Sequence, residues 1–314
     1  MKVRVGIPRG LLYYEYFPLW RQFFRQLGAE VIESPVSTKQ LLETGAYTNV
    51  DETCMPVKLY IGHAAALQDR VDYLFIPRIV SIREREYHCP KFSGLPDMVR
   101  SVFPQGPPVL EIIADKTENK KAFLPSLYKL GRHFSPNAVR VFTVYQQAVR
   151  QWRATSQAWK QGFMPQPAKY GRTKPLNIAV LGHSYNLYDT YGNNNLLQIL
   201  HNLGVHVFTP DNINYNRAMG NAEQYLPDLC WSLGKKIYGT AVAYAARRDI
   251  NGIILVMSFE CGPDSLLMDL VNREITACYN KPVMTLVLDE HSGEAGLMTR
   301  LEAFVDMVKR RPRA

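Results

Sequence analysis

Three of the five cysteines in this 314-residue chain share one local sequence design. Cys54 and Cys261 each stand two residues before a proline, Cys89 stands directly before one, and two of the three lead into an apolar, helix-like run. A thiol just ahead of a helix faces free backbone N–H groups and the positive end of the helix dipole, which stabilise the thiolate. Thiolates are soft ligands for metals, so the pattern predicts a metal site. The three cysteines lie far apart in sequence, and only the fold can bring them together.

Two kinds of metal site agree with these residues. One is a zinc site in which His88 supplies a fourth ligand. The other is an iron–sulfur cluster, where a proline after a ligand cysteine is a known accompaniment. The spacing does not decide between them, because the chain has no C-x-x-C pair. Of the remaining cysteines, Cys230 is a weak additional candidate, and Cys278 is expected to be a small buried hydrophobic residue.

The composition narrows the class of protein. With 46% hydrophobic and 21% charged residues, the chain has the composition of a globular protein. Neither a signal peptide nor an apolar run of roughly 18 residues is present, so we expect a cytoplasmic protein with reduced thiols and no membrane partner. The net charge is +9, and the basic residues are dispersed along the chain except at the tail, residues 309–313. Because the sequence has no nucleic-acid-binding motif, this positive charge favours phosphate-bearing substrates or an acidic protein partner over nucleic acid.

The chain contains an internal repeat. Strand-like runs begin at Val3 and Asn177, which are 174 residues apart, and each precedes an apolar helical face. Gly28 and Gly204 follow these faces and suit the position just after a helix. Further strand-like runs complete the repeat, at residues 29–32, 71–76 and 109–113 in one half and at residues 205–208, 250–256 and 283–287 in the other.

Strands alternating with helices predict an α/β fold with mostly parallel sheets. We expect two repeat-related Rossmann-like lobes, residues 1–133 and 175–314, joined by a helical connection and linker over residues 134–174. Function in such sheets gathers beyond the carboxyl ends of the strands. The predicted site therefore lies in a cleft between the lobes. A final helix with an apolar stripe from Leu297 to Val308 is expected to pack into the core.

Several motifs together resemble one family. The chain is similar to the subunits of 2-hydroxyacyl-CoA dehydratases and, more closely, to the activase-related proteins of that superfamily. The resemblance runs from about residue 3 to residue 308 and is carried by residues 7–10, 51–58, 87–97, 182–189 and 259–264.

The resemblance implies a [4Fe-4S] cluster between two Rossmann-like halves, with Cys54, Cys89 and Cys261 as its ligands. In the dehydratases the fourth iron has no cysteine and can hold water, hydroxide or substrate. The implied partners are an ATP-dependent activase or another low-potential electron donor, an acyl-CoA or other small substrate, and a second subunit, here in a homodimer. Such chemistry is anaerobic. A related double-cubane cluster needs more cysteines than the three candidates, so a single cubane is indicated.

Six further residues are candidates for the site. Glu52, His88 and Glu260 adjoin the three cysteines and could move protons. The set is completed by residues of the expected cluster environment, namely Gly262, which lets backbone approach a cluster, and Arg9 and His183, which occupy matching places after the first strand of each half.

The sequence thus predicts an iron–sulfur redox protein that accepts a low-potential electron for the reduction or radical dehydration of a small substrate. Two alternatives remain open at this point. One is a non-catalytic electron-transfer or cluster-carrier subunit. The other is a zinc-stabilised two-lobe binding protein.

Overall fold

The computed structural model describes residues 2–48, 53–165 and 176–311. Two compact units are present. The N-terminal unit comprises Met1–Gln161 together with Cys230–Ser232, and the C-terminal unit comprises Gly162–Leu229 and Leu233–Ala314. None of the described helices is long and apolar enough to span a membrane.

The N-terminal unit is built on a parallel sheet with the strand order β2-β1-β3-β5, and a second parallel pair joins β4 and β6. Its elements in chain order are β1 (Arg4–Ile7), α1 (Tyr13–Gln26), β2 (Glu30–Glu33), α2 (Lys39–Thr48), α3 (Met55–Ala65), β3 (Tyr73–Phe75), β4 (Arg78–Ile79), α4 (Pro90–Val102), β5 (Val109–Leu110), β6 (Ile113–Ala114), α5 (Phe123–Gly131) and α6 (Ala138–Gln161).

The strands of this sheet are shorter than the sequence predicts. The strand expected over residues 71–76 is only three residues long, and the strand expected over residues 109–113 is divided into β5 and β6. Pro77 separates β3 from β4, and a proline has no N–H to donate to a ladder. Ile76 and Arg78 on either side still donate to Leu110 and Ile112, both at 2.9 Å.

Helix α6 packs against α1 through two tryptophans. Pro18 lies inside α1, so its missing N–H leaves the carbonyl of Tyr14 without its usual helical donor. The Trp159 indole donates to that carbonyl at 3.0 Å, and the Trp152 indole donates to the carbonyl of Glu15 at 2.8 Å. Thus α6 compensates for the hydrogen bond that the proline removes.

The C-terminal unit repeats the same topology. Its parallel sheet has the order β10-β9-β7-β8. Its elements are β7 (Leu176–Leu181), α7 (Ser184–Tyr188), α8 (Leu196–Asn202), β8 (Val205–Phe208), the short 3-10 helix η1 (Pro210–Asn212), α9 (Tyr215–Tyr225), α10 (Ser232–Ala245), β9 (Gly252–Ser258), α11 (Gly262–Tyr279), β10 (Val283–Leu288) and α12 (Glu294–Arg310).

The predicted fold class is confirmed, since both units are α/β with parallel, Rossmann-like sheets. Gly28 and Gly204 follow the C-caps of α1 and α8 with φ of +94° and +78°, as expected for glycines that end helices. The apolar stripe of α12 is buried. The prediction for Cys278 is wrong: this residue is exposed, in the last turn of α11, beyond the last buried position of that helix at Ile275.

Candidate cysteine site

Cys54, Cys89 and Cys261 occupy the same structural position, the N-cap of a helix with a proline in its first turn. They precede α3, α4 and α11. Proline is well tolerated there because the first N–H groups of a helix have no intrahelical acceptor. Each of the three is partly exposed, and none of the five cysteines, all of which lie in the described residues, forms a disulfide.

The backbone carbonyls of these cysteines begin the helices. Val57 donates to Cys54 at 2.9 Å, Phe92 to Cys89 at 2.9 Å and Ser265 to Cys261 at 3.0 Å. No thiol forms a side-chain capping hydrogen bond. Helix N-termini favour anionic groups through their N–H groups and dipole. The three cysteines therefore lie at positions where a helix favours a bound anion.

In the N-terminal unit, one side-chain hydrogen bond joins the Cys54 and Cys89 segments. Lys91, two residues after Cys89, donates from Nζ to the Oγ1 of Thr53 at 3.4 Å, and Thr53 is fully buried. The N-terminal ends of α3 and α4 are thereby linked within this unit.

Cys230 pairs through its backbone with the segment that contains Cys89. The N–H of Tyr87 donates to the carbonyl of Cys230 at 2.7 Å, and the N–H of Ser232 donates to the carbonyl of Tyr87 at 3.0 Å. These bonds form a short parallel bridge between Tyr87 and Trp231. Cys230 is exposed and lies two residues before α10, so it is not an N-cap.

In the C-terminal unit, a buried hydrogen bond from His183 holds Asp264 in the first turn after Cys261. His183 is the N-cap of α7, and its Nε2 lies 2.8 Å from Oδ1 of Asp264. The hydroxyl of Ser258, the last residue of β9, donates to Oδ1 of Asn186 at 2.8 Å. Sequence reasoning selected His183 but missed Asp264, which lies 81 residues farther along the chain.

Two further predicted residues of the N-terminal unit, Arg9 and His88, have different neighbours. The N–H of Arg9 donates to Ser34 Oγ at 2.8 Å, and its guanidinium lies 5.6 Å from the Tyr13 ring centre. His88 is buried with its ring centre 5.9 Å from that of Phe92.

Two predicted residues beside Cys261 lie on its exposed turn. Glu260 is exposed with a left-handed φ of +65°. Gly262 is exposed, and a Cβ on it would meet no atom within 4 Å. Glu52 lies outside the described residues.

His63 of α3 is a buried polar residue that the sequence gave no reason to select. Its Nδ1 lies 3.0 Å from Ser34 Oγ and its Nε2 lies 2.9 Å from Ser37 Oγ. Burial, with a smaller contribution from the Arg9 charge, lowers the pKa of His63 to about 3. The side chain is therefore neutral at physiological pH, and its two serine partners fix its orientation.

The chemistry of the three caps fits an iron–sulfur cluster, which is held by thiolates. Among the described residues, no three His, Cys, Asp or Glu side chains are arranged to hold a metal ion. A zinc ion needs about four ligand atoms within roughly 2.0–2.3 Å. The described residues thus contain no preformed metal site of either kind, and the shared cluster of Cys54, Cys89 and Cys261 stays a prediction.

Comparison with known proteins connects the chain with a family. No curated protein matches the chain. The model of one family, described as the CoA enzyme activase uncharacterised domain (DUF2229), matches residues 4–213. The match includes Cys54 and Cys89 and ends before Cys230 and Cys261. Because it spans more than half of the chain, the protein belongs to the CoA enzyme activase uncharacterised domain family.

Proposed function

We propose that this protein is an iron–sulfur redox component of a CoA-enzyme activation system, with Cys54, Cys89 and Cys261 as ligands of a [4Fe-4S] cluster. The observation that carries the proposal is the shared position of the three cysteines, each at the N-cap of a helix with a proline in its first turn. The family described as a CoA enzyme activase domain supports the relation to such a system.

A cluster of this kind, when bound, supplies one-electron transfer at low potential. The contribution of this chain is electrostatic and geometric. The N-terminal ends of α3, α4 and α11 stabilise negative charge on the thiolates, and their backbone N–H groups can donate to sulfur, which raises the potential. The prolines restrict the backbone of each first turn.

Residues next to the proposed cysteine ligands could carry protons to and from the site. Glu260 is exposed next to Cys261, and His88 is buried next to Cys89. Carboxylate and imidazole side chains are among the groups that transfer protons in enzymes. We propose these two side chains, with Glu52, for that role.

The electron donor in this proposal is an ATP-dependent activase or another low-potential donor, and the acceptor is a small substrate, such as an acyl-CoA thioester. In a second candidate function, the protein passes the electron to a partner enzyme and performs no substrate chemistry itself. The description of the family favours this alternative, because an activase acts on an enzyme rather than on its substrate.

Anaerobic purification followed by metal and sulfide analysis tests the proposal. We expect brown protein with iron and acid-labile sulfide in nearly equal amounts. Colourless protein that contains zinc would reject both redox candidates and favour the zinc-stabilised binding protein.

Electron paramagnetic resonance of the reduced protein then separates the two redox candidates. A spectrum that changes on titration with an acyl-CoA thioester or cyanide indicates an iron open to small ligands, as a substrate-reducing component requires. A spectrum that does not respond indicates a closed cluster and supports electron transfer to a partner enzyme.

A further inference from the structure

The N-terminal unit contains an apolar cavity at the carboxyl ends of two neighbouring strands. Ile7, the last residue of β1, and Phe75, the last residue of β3, both line it. The chain passes from β1 to β2 on one side and then to β3 on the other. The cavity therefore lies at a topological switch point, where open parallel sheets commonly bind ligands.

The wall of this cavity is uncharged. None of the described residues that line it is a Lys, Arg, His, Asp or Glu. Burial raises the pKa of Tyr60, so this side chain stays neutral, and the Tyr13 hydroxyl is engaged as a donor to Glu33. Much of the wall is formed by aromatic side chains from helices α1, α3 and α4, namely Tyr13, Tyr16, Phe17, Trp20, Tyr60 and Phe92.

The cavity is larger than one water molecule requires, and it is partly open. The centre of a water molecule can occupy about 30 Å³ of it, and the empty space including the side open to solvent is about 440 Å³. A single buried water requires roughly 10–15 Å³ and two to four polar partners, whereas apolar cavities take up small apolar molecules. Tyr16 and Pro77 are the lining residues that are partly exposed, so we expect the opening beside them.

The loop between β1 and α1 forms part of the wall in an unfavourable backbone conformation. Leu11 lines the cavity, is 4% exposed and has a left-handed φ of +50°. Residues with a Cβ rarely adopt this conformation, and backbone strain of this kind is concentrated at ligand sites. The loop is therefore held against its local preference where it borders the cavity.

We propose that this cavity binds a short alkyl group of a small uncharged molecule whose polar part stays at the opening. The removal of alkyl surface from water favours binding, and an uncharged wall disfavours a buried ionic group. An alkyl group fits better than a whole ring because the enclosed part of the cavity is small.

The site goes beyond the redox proposal and does not depend on it. Every lining residue belongs to the N-terminal unit, and none is a cysteine. The cavity nevertheless borders the first turn of α4, since Phe92 lies in its wall and donates its N–H to the carbonyl of Cys89 at 2.9 Å. A ligand in this cavity would thus lie against a helix that has a proposed cluster ligand as its N-cap.

Ligand-observed NMR on the full-length protein tests the site with two neutral probes that share an amide group. 3-Methylbutanamide carries an isobutyl group, and acetamide carries a methyl group in its place. We expect 3-methylbutanamide to bind at least about tenfold more tightly, because each additional buried carbon adds to the free energy of transfer from water. Equal affinities for the two probes would overturn the proposal.

Substitution of one wall residue tests where the alkyl group binds. Leu95→Phe places a larger side chain in the cavity and should reduce the affinity for 3-methylbutanamide at least about tenfold. Leu95→Ala enlarges the cavity and should bind toluene, a larger apolar probe, more tightly than the unmodified protein does. Leu124→Phe, at a residue of α5 that is 59% exposed, should leave the affinities for both probes unchanged.

A crystal pressurised with xenon locates the cavity without any substitution, because xenon occupies small apolar cavities. We expect xenon between Tyr60, Phe75 and Leu95, and a crystal without xenon there would contradict the proposal. Unchanged affinity for 3-methylbutanamide in a folded Leu95→Phe variant would place the alkyl group elsewhere and reject the assignment. If the Leu95 variants do not fold, the two amide probes and the xenon crystal still decide on the unmodified chain.

Discussion

The two units have the same strand order but differ in how many cysteine-capped helices they carry. Among the described helices, both α3 and α4 of the N-terminal unit have a cysteine as N-cap, whereas in the C-terminal unit only α11 has one. Helix α10, the repeat counterpart of α3, begins at Ser232, and its nearest cysteine, Cys230, lies two residues earlier and pairs with Tyr87. The repeat thus preserves topology, while the potential ligands are distributed unequally.

The sheets differ as well. In the C-terminal unit β9 is a continuous strand of seven buried residues, whereas Pro77 divides the corresponding strand of the N-terminal unit into β3 and β4. Both nevertheless keep the same neighbours. The order of strands therefore depends on the chain path and on apolar burial more than on an uninterrupted ladder.

One packing feature is shared by both units, the close contact between two consecutive helices. A Cβ on Gly62 of α3 would lie 1.9 Å from the carbonyl oxygen of Leu41 in α2, and a Cβ on Gly239 of α10 would lie 1.7 Å from that of Ala218 in α9. Leu41 and Ala218 are 177 residues apart, as are Gly62 and Gly239. The repeat extends to this contact between backbones.

The largest expected effect tests this shared contact. Gly62→Ala and Gly239→Ala should each lower the free energy of unfolding by about 3 kcal/mol, because a backbone oxygen cannot rotate away and the helices must separate. Urea unfolding measures the loss.

Each unit offers a matched control for these variants. Gly94 of α4 and Gly220 of α9 have open space where a Cβ would stand, so alanine there should be neutral or stabilise by about 0.5 kcal/mol. If Gly62→Ala or Gly239→Ala proved as stable as its control, the close contact in that unit would be wrong.

The second effect is a pH dependence confined to the N-terminal unit. Burial lowers the pKa of His63 to about 3, against roughly 6.5 in the unfolded chain. Between these values only the unfolded chain binds the proton, so stability falls as the pH drops below about 6.5. The expected loss at pH 5 is about 2 kcal/mol.

Comparison of unfolding free energies at pH 7.5 and pH 5 isolates this contribution. His63→Gln should remove it, although the variant is less stable at both pH values. His291→Gln, at a side chain that is 88% exposed, should retain it. An unchanged pH dependence in His63→Gln would show that His63 is not held neutral in the folded protein.

A smaller effect tests whether the two helix ends are equivalent. Gly28 and Gly204 have φ of +94° and +78°, and a Cβ on either would meet no atom within 4 Å. Alanine at either position should therefore lower the free energy of unfolding by about 1 kcal/mol, because only the strain of the left-handed backbone conformation is added. A clear difference between Gly28→Ala and Gly204→Ala in urea unfolding would mean that the two ends are not alike.

The smallest expected effect on stability concerns the turn after Cys261. Because a Cβ on Gly262 meets open space, Gly262→Ala should change the unfolding free energy by less than about 0.5 kcal/mol. If a cluster lies against this turn, the same variant should alter the electron paramagnetic resonance spectrum of the reduced protein. Gly296→Ala in α12, with similar open space, is the control. An unaltered spectrum in Gly262→Ala would exclude close contact of a cluster with residue 262.

Local features of the fold were predictable from the sequence because they depend on neighbouring residues. The strand over residues 205–208 was predicted with its observed ends, and Gly28 and Gly204 mark helix ends. The cysteine–proline pattern predicted a helix after two of the three cysteines, and the structure has a helix after each of the three, because proline suits the first turn of a helix.

Features that depend on distant residues could not be predicted. The pairing of Tyr87 with Cys230 and of His183 with Asp264 joins segments that are remote in sequence. His63 illustrates the same limit, because only the fold shows that Ser34 and Ser37 satisfy its ring nitrogens. Cys278 was misassigned because apolar neighbours such as Ile275 suggest burial, whereas the buried positions of α11 end one turn earlier.

The central claim, that three helix-capping thiolates hold one iron–sulfur cluster, is tested most directly by iron and sulfide analysis of anaerobically purified variants. Cys54→Ala, Cys89→Ala and Cys261→Ala should each lose most of the iron and sulfide, while Cys278→Ala, at an exposed position in the last turn of α11, should retain both. Full iron and sulfide content in the Cys54, Cys89 and Cys261 variants would contradict the account.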